Sequence, residues 1–183
     1  MKNLSSGLLL ISDPFLKDPN FMRTVVLLCE HNPDGSFGFV LNRPYDQRLD
    51  DFIPALEGYS IPVFYGGPVQ TDTLHFIHSL PNQIPDGQPI GDGIYWGGNF
   101  EQVIALVRQR ELDLRHIRFF LGYSGWSTGQ LEDEMTVNSW LTADANPKLT
   151  FETEPTEIWK AAVKELDEAF HEIIHYPIDP QLN

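Results

Sequence analysis

Three short stretches carry residue types whose spacing could do chemistry. In Gly122-Tyr123-Ser124-Gly125-Trp126 a serine follows the β-rich run Ile117 to Leu121. A hydrolase elbow reads Gly-x-Ser-x-Gly, because two glycines let a strained strand-to-helix turn expose the hydroxyl. Gly122 and Ser124 fit that pattern, but Trp126 stands where the second glycine belongs. An indole is a poor fit where a helix must pack close to the strand. A triad would also need a later carboxylate and His171 or His175, and nothing in the sequence places either histidine at Ser124. The plainer reading is a glycine corner whose serine bonds to backbone.

His171-Glu172-Ile173-Ile174-His175 matches His-Glu-x-x-His, which on a helix sets two imidazoles one turn apart for zinc. Only eight residues follow it, with Pro177 and Pro180 among them. A third ligand would have to be Asp179 or come from upstream, so no metal site is expected. Cys29-Glu30-His31 ends a strand, and simple alternation puts Cys29 and His31 on one face. A thiolate–imidazolium pair is conceivable there. Cys29 continues the apolar run Val25 to Leu28, however, and reads as a small buried hydrophobe. His31 lies beside the Asn32-Pro33-Asp34-Gly35 turn, where it could cap or bind. His75 and His78 are three apart on a strand, hence on opposite faces. Neither Gly66-Gly67-Pro68 nor Gly97-Gly98-Asn99 precedes a Gly-Lys-Ser/Thr, so no phosphate loop and no cofactor is expected.

The elements that must position these residues mix strands with a few helices. Gly7 to Ser12 reads as a buried strand. Thr24 to His31 and Phe37 to Asn42 flank the Asn-Pro-Asp-Gly turn and form a hairpin. Gln47 to Gly58 suggests a short helix ended near Pro54. Strands follow at Pro62 to Val69, Thr73 to Leu80, Gly93 to Trp96 and His116 to Trp126. Asn99 can cap a helix with Gln102 three residues on, and Phe100, Val103, Ile104 and Val107 make its apolar face. Gly129 to Met135 suggests a short helix or turn, and Asn138 to Ala143 an extended segment. Glu154 to Ile174 reads as the clearest helix, with Ile158, Ala162, Leu166, Ala169, Phe170 and Ile173 at helical spacing. Regular β-α-β alternation is absent, which argues for α+β with a mixed, mostly antiparallel sheet.

Charge narrows the partners. The chain has 183 residues, a length suited to one domain spanning 1–183, and a formal net charge of -14. Nucleic-acid binding needs a basic patch to neutralise phosphates. The densest basic set, Arg108, Arg110, Arg115 and Arg118, is diluted by Glu111 and Asp113. Direct nucleic-acid binding is disfavoured, and so is attachment to an anionic membrane. The single cysteine rules out an internal disulfide. The N-terminal apolar stretch is too short for a secretory segment, and no later run approaches a membrane span. A cytoplasmic location is expected.

Taken together, Gly7 to Pro44, then Val63 to Val69, then Gly122 to Leu141 resemble the AlgH/YqgE family of bacterial proteins in order and spacing. The resemblance implies an α+β fold with a branched, partly barrel-like sheet flanked by helices, and a cytosolic protein. It carries the family's transcriptional-regulator label, but no settled activity and no catalytic set. The family pattern marks His31, Asn42, Arg43, Trp126, Gln130 and Glu132 among other positions. These six are the candidate ligand-binding residues: if the Asn42-Arg43 and Trp126–Glu132 segments meet, Asn42, Arg43, Gln130 and Glu132 line one polar pocket beside Trp126. The alternative is that they knit the loops together by buried hydrogen bonds. Two functional readings follow. One is a non-enzymatic regulator or interaction protein acting through a protein partner. The other is a small-ligand binder or enzyme using that pocket. A gel-shift titration at low and moderate salt is expected to retain no DNA. Binding that weakens steeply as salt rises would reverse that expectation.

Overall fold

The computed structural model describes residues 3–177. Ten strands form one sheet. They are β1 (Leu8–Ser12), β2 (Val25–Asn32), β3 (Gly35–Val40), β4 (Pro44–Arg48), β5 (Pro62–Tyr65), β6 (Val69–His78), β7 (Gln88–Gly91), β8 (Ile94–Trp96), β9 (Ile117–Ser127) and β10 (Trp140–Asp144). The main order is β10-β1-β2-β3-β9-β6-β8-β7, with β5 also on β9 and β4 on β5. All pairings are antiparallel except β5 with β9. The sheet curls into a half-barrel, as the expected α+β class with a branched sheet requires.

The branch is at β9. One of its edges pairs with β6 along most of its length. The other edge is shared: Phe119 to Leu121 pair with β5, and Ser124 to Ser127 pair with β3. The two sharing strands meet at Gly66. Its N–H donates to the Leu121 carbonyl at 2.8 Å, and its own carbonyl accepts from Val40 N–H at 2.9 Å. This crossing leaves no room for a side chain. A Cβ on Gly66 would lie 2.3 Å from the Gly122 carbonyl oxygen. Gly122 itself has φ +67°, a left-handed conformation that costs an ordinary residue about 1–2 kcal/mol.

The core has three parts around this branch. Leu27, Phe39, Ile77 and Phe120 pack beneath the curl with Ile158 and Trp159. Val63, Phe76 and Phe119 pack against α2 (Phe100–Arg108) through Val103, Leu106 and Val107. Val26, Leu28 and Trp126 pack against α3 (Gln130–Thr136) through Leu131 and Met135. The Asn99 cap forms as its sequence indicates, its Oδ1 accepting from Gln102 N–H at 2.9 Å. The segment after β4 makes a short helix, α1 (Leu49–Phe52), that stops before Pro54.

The C-terminal helix is shorter than its periodicity implies. It is α4 (Ile158–Lys164), followed by a tighter three-residue-per-turn stretch over Glu168–His175. The last turn of α4 already closes by short-range bonds, Glu165 N–H to the Ala162 carbonyl and Leu166 N–H to the Val163 carbonyl. Asp167 is extended at φ -55°, ψ 146°. Aspartate is a poor interior helix residue, and here it marks the break.

Two glycine substitutions separate the close approach from simple strain. Gly66→Ala is expected to cost about 3 kcal/mol or more, because backbone must move. Gly129→Ala, at φ +76° with open space around it, is expected to cost only about 1–2 kcal/mol. Urea unfolding midpoints decide it, and equal losses would contradict the crowding at the branch.

Candidate functional site

Ser124 is where the hydrolase reading meets the branch. It is fully buried, and its Oγ donates to the Gly66 carbonyl at 3.1 Å. That carbonyl therefore ties β5, β3 and β9 together, and the hydroxyl is spent on backbone. Cys29 is buried in the core, where burial and the Glu30 charge push its thiol well up from its ordinary value. Cys29 is the buried hydrophobe it was expected to be, but it does not share a face with His31, for a local reason. β2 carries a bulge between Leu28 and Glu30, which leaves Cys29 as the extra residue. The bulge resets the alternation, so Glu30 pairs with Phe37 and His31 turns to the other face. His171 and His175 lie in the three-residue-per-turn stretch, where positions four apart do not stack on one face. His171 Nε2 donates to the Leu166 carbonyl at 3.0 Å instead.

The six candidate ligand-binding residues divide into two groups. Asn42 is structural: its amide donates to the Arg23 carbonyl at 2.8 Å, and its Oδ1 accepts from Val25 N–H at 3.0 Å. Arg43 donates to the Met22 carbonyl at 2.5 Å. Trp126 pairs with Ser36, six residues before Asn42, a span of roughly 20 Å in extended chain. Between them runs the loop after β1, with Phe21 stacked on Trp126 at 6.2 Å and Met22 on Arg43. The two segments therefore do not meet in a single pocket.

The second group gathers at the β2–β3 turn, on the α3 face. His31 Nδ1 bonds to Ser36 Oγ at 2.8 Å, and its Nε2 lies 3.7 Å from Glu132. Gln130 Oε1 accepts from Ser127 N–H at 3.1 Å. The hub of this face is Glu134, which sequence reasoning missed. Its Oε2 accepts both indole N–H groups, from Trp126 at 2.9 Å and Trp140 at 2.7 Å. Its Oε1 accepts from the Gln130 amide at 3.1 Å. The available signal was only its place four residues after Gln130 on a short helix.

On the opposite face of the same turn lies an open groove of about 700 Å³. Phe37, His75, Trp96 and Tyr123 line it, with Glu30 and Asp34 at its rim. Strand register explains the assembly. Phe37 pairs with Gly125, two residues from Tyr123, and Tyr123 pairs with Val69 across the branch. Phe37 meets Trp96 at 4.8 Å and 64°, and Tyr123 at 6.0 Å and 78°. His75 lies 5.9 Å from Tyr123 and 6.4 Å from Trp96. The Thr73 hydroxyl donates to the Gln70 carbonyl at 2.7 Å, so it must accept from His75 Nε2–H at 3.0 Å. Burial lowers His75 from its ordinary value. His75 thus stands among the groove's rings.

Comparison with known proteins fixes the family. The AlgH-like family model matches residues 9–171. This chain belongs to the AlgH-like family. A Chlorobium luteolum relative, named UPF0301 protein, is 42% identical over 182 residues, covering 100% of this chain and 96% of its own length. The UPF0301 protein of Cytophaga hutchinsonii is 40% identical over 181 residues, covering 98% and 100%. The solution structure of the AlgH protein from Pseudomonas aeruginosa matches with a TM-score of 0.74 at 30% identity, over 97% of this chain and 98% of that one. A crystal structure from Corynebacterium diphtheriae matches with a TM-score of 0.81 at 18% identity, over 96% and 94%, which speaks for the AlgH-like fold alone.

Two imidazoles give a pH prediction. His78 is also lowered by burial, though its bond to the Gly97 carbonyl pulls the other way. A depressed histidine stays neutral in the folded state while the unfolded chain takes up a proton. Its stabilising contribution is therefore present above the unfolded value near 6.5 and is lost as pH falls below it. An NMR titration is expected to place both midpoints below 6.5. Midpoints at or above that value would contradict the burial argument.

Proposed function

We propose that this chain is a non-enzymatic interaction protein whose partner is another protein, engaged through the aromatic groove at the β2–β3 turn. The observation that carries the reading is the groove itself: half-buried aromatic rings beside exposed carboxylates, a composition suited to recognition. The hydroxyl–imidazole–carboxylate chain beside it, Ser36–His31–Glu132, runs on the α3 face and not among its rings. The groups that most resembled nucleophiles, Ser124 and Cys29, are buried and committed elsewhere.

Charge favours a protein partner over nucleic acid. Two of the four clustered arginines are already engaged. Arg118 is buried with Nη1 on the Leu41 carbonyl at 2.8 Å, and Arg115 forks onto Asp113 at 2.8 Å. The family's regulator label is then met by contact with a regulatory protein rather than with DNA. The His31–Glu132 and Gln130 cluster flanks the same turn and would widen the contact. Among the described residues no helix is long and apolar enough to cross a membrane.

A photo-crosslinking amino acid at Val69, which lines the groove opposite Tyr123, compared in living cells with one at Lys164, tests this. A discrete protein adduct is expected at Val69 and none at Lys164. Equal adducts at both positions, or nucleic acid as the adduct, would overturn the proposal.

A further inference from the structure

The groove's chemistry also specifies what it receives. Its three large rings meet face to edge, so they form a corner rather than a closed stack. Phe37, Trp96 and Tyr123 are each half-buried, which leaves π surface open to an occupant. Ring faces carry the negative end of the aromatic quadrupole and attract cations. The chain supplies no lysine or arginine to the lining.

The rim adds formal negative charge. Glu30 and Asp34 are exposed, and Asn32 between them binds the Glu30 carboxylate and the Asp34 backbone. The Asn32 amide donates to Glu30 Oε1 at 2.8 Å, and Asn32 Oδ1 accepts from Asp34 N–H at 2.9 Å. The bulge in β2 is what turns Glu30 toward the groove, since without the extra residue it would face α3. A long cationic side chain can lie on the rings and reach this rim. The net charge of -14 draws such a partner from a distance.

We propose that the groove seats an arginine side chain from an exposed basic segment of the partner protein, its guanidinium on Trp96 and Tyr123 and its charge met by Glu30 and Asp34. This rests on reading the groove as the partner site. Arginine is favoured over lysine because a planar guanidinium stacks on aromatic rings and can fork onto a carboxylate, whereas an ammonium is a compact, strongly hydrated point charge. Citrulline keeps the shape of arginine and lacks the charge, so it separates stacking from charge recognition.

The test is a titration of the isotope-labelled chain with a short Gly/Ser peptide carrying arginine, and with its lysine and citrulline counterparts. Saturable shifts are expected at Phe37, Trp96 and Tyr123 with the arginine peptide, weaker with lysine and absent with citrulline. The double variant Glu30→Gln/Asp34→Asn changes exposed side chains only, and is expected to weaken the arginine peptide by roughly fivefold. Trp96→Leu is expected to weaken it further. Equal binding of citrulline, no saturable binding of arginine, or shifts spread evenly over the acidic surface would overturn the proposal. If no arginine peptide binds while the in-cell protein adduct at Val69 persists, the occupant has other chemistry and only this inference falls. If the adduct is also missing, the interaction reading falls with it.

Discussion

One carbonyl, that of Gly66, is the point on which the fold turns. A strand has two edges, and β9 must serve three neighbours with them. The chain solves this by letting β5 leave and β3 enter along one edge within a few residues. At the crossing, Gly66 accepts from Val40 N–H and from the Ser124 hydroxyl while donating to Leu121. Buried backbone polar groups must find partners, and this exchange leaves none of these groups unpaired. Gly66 and Gly122 supply the closeness, and Ser124 supplies the extra donor. A larger residue at any of the three would open the branch.

The groove follows from that branch. β3 lies on β9 only beyond the crossing, which sets Phe37 over Gly125 and beside Tyr123. β6 remains on the far edge and brings His75, and β8 beyond it brings Trp96. The opposite face of the same turn is stiffened by Glu134, which accepts two indole N–H groups at once. Charge-assisted bonds of this kind are stronger than neutral ones. The turn is thus fixed from behind and open in front. At the other end of β9, Arg118 is held over the Phe64 ring at 4.5 Å, and burial lowers it to about 10. It remains charged at neutral pH and serves as a brace, with no part in the groove.

How much of this was legible in the sequence differs by feature. The hairpin at Asn-Pro-Asp-Gly, the Asn99 cap and the apolar strands were plain, because turn chemistry and short-range periodicity act locally. Ser124 does bond to backbone, as the plainer reading held, but no corner forms there: β9 runs on through Trp126 to Ser127, and the hydroxyl is used at the branch. The bulge at Cys29 was not legible, because it depends on the partner strand, and it reversed the faces of Glu30 and His31. The break before Glu168 was missed because apolar spacing continued past Asp167. Asn42 and Arg43 carry a family pattern, but their bonds to Met22, Arg23 and Val25 are long-range and structural. The aromatic groove was invisible because its residues come from four strands that only the tertiary pairing brings together.

The most direct measurement of the central claim is a structure of the native complex. A partner arginine seated between Trp96 and Tyr123, with its guanidinium at Glu30 or Asp34, is the result this reading predicts. A partner bound on the α3 face or along β10, with the groove left open to water, would contradict it.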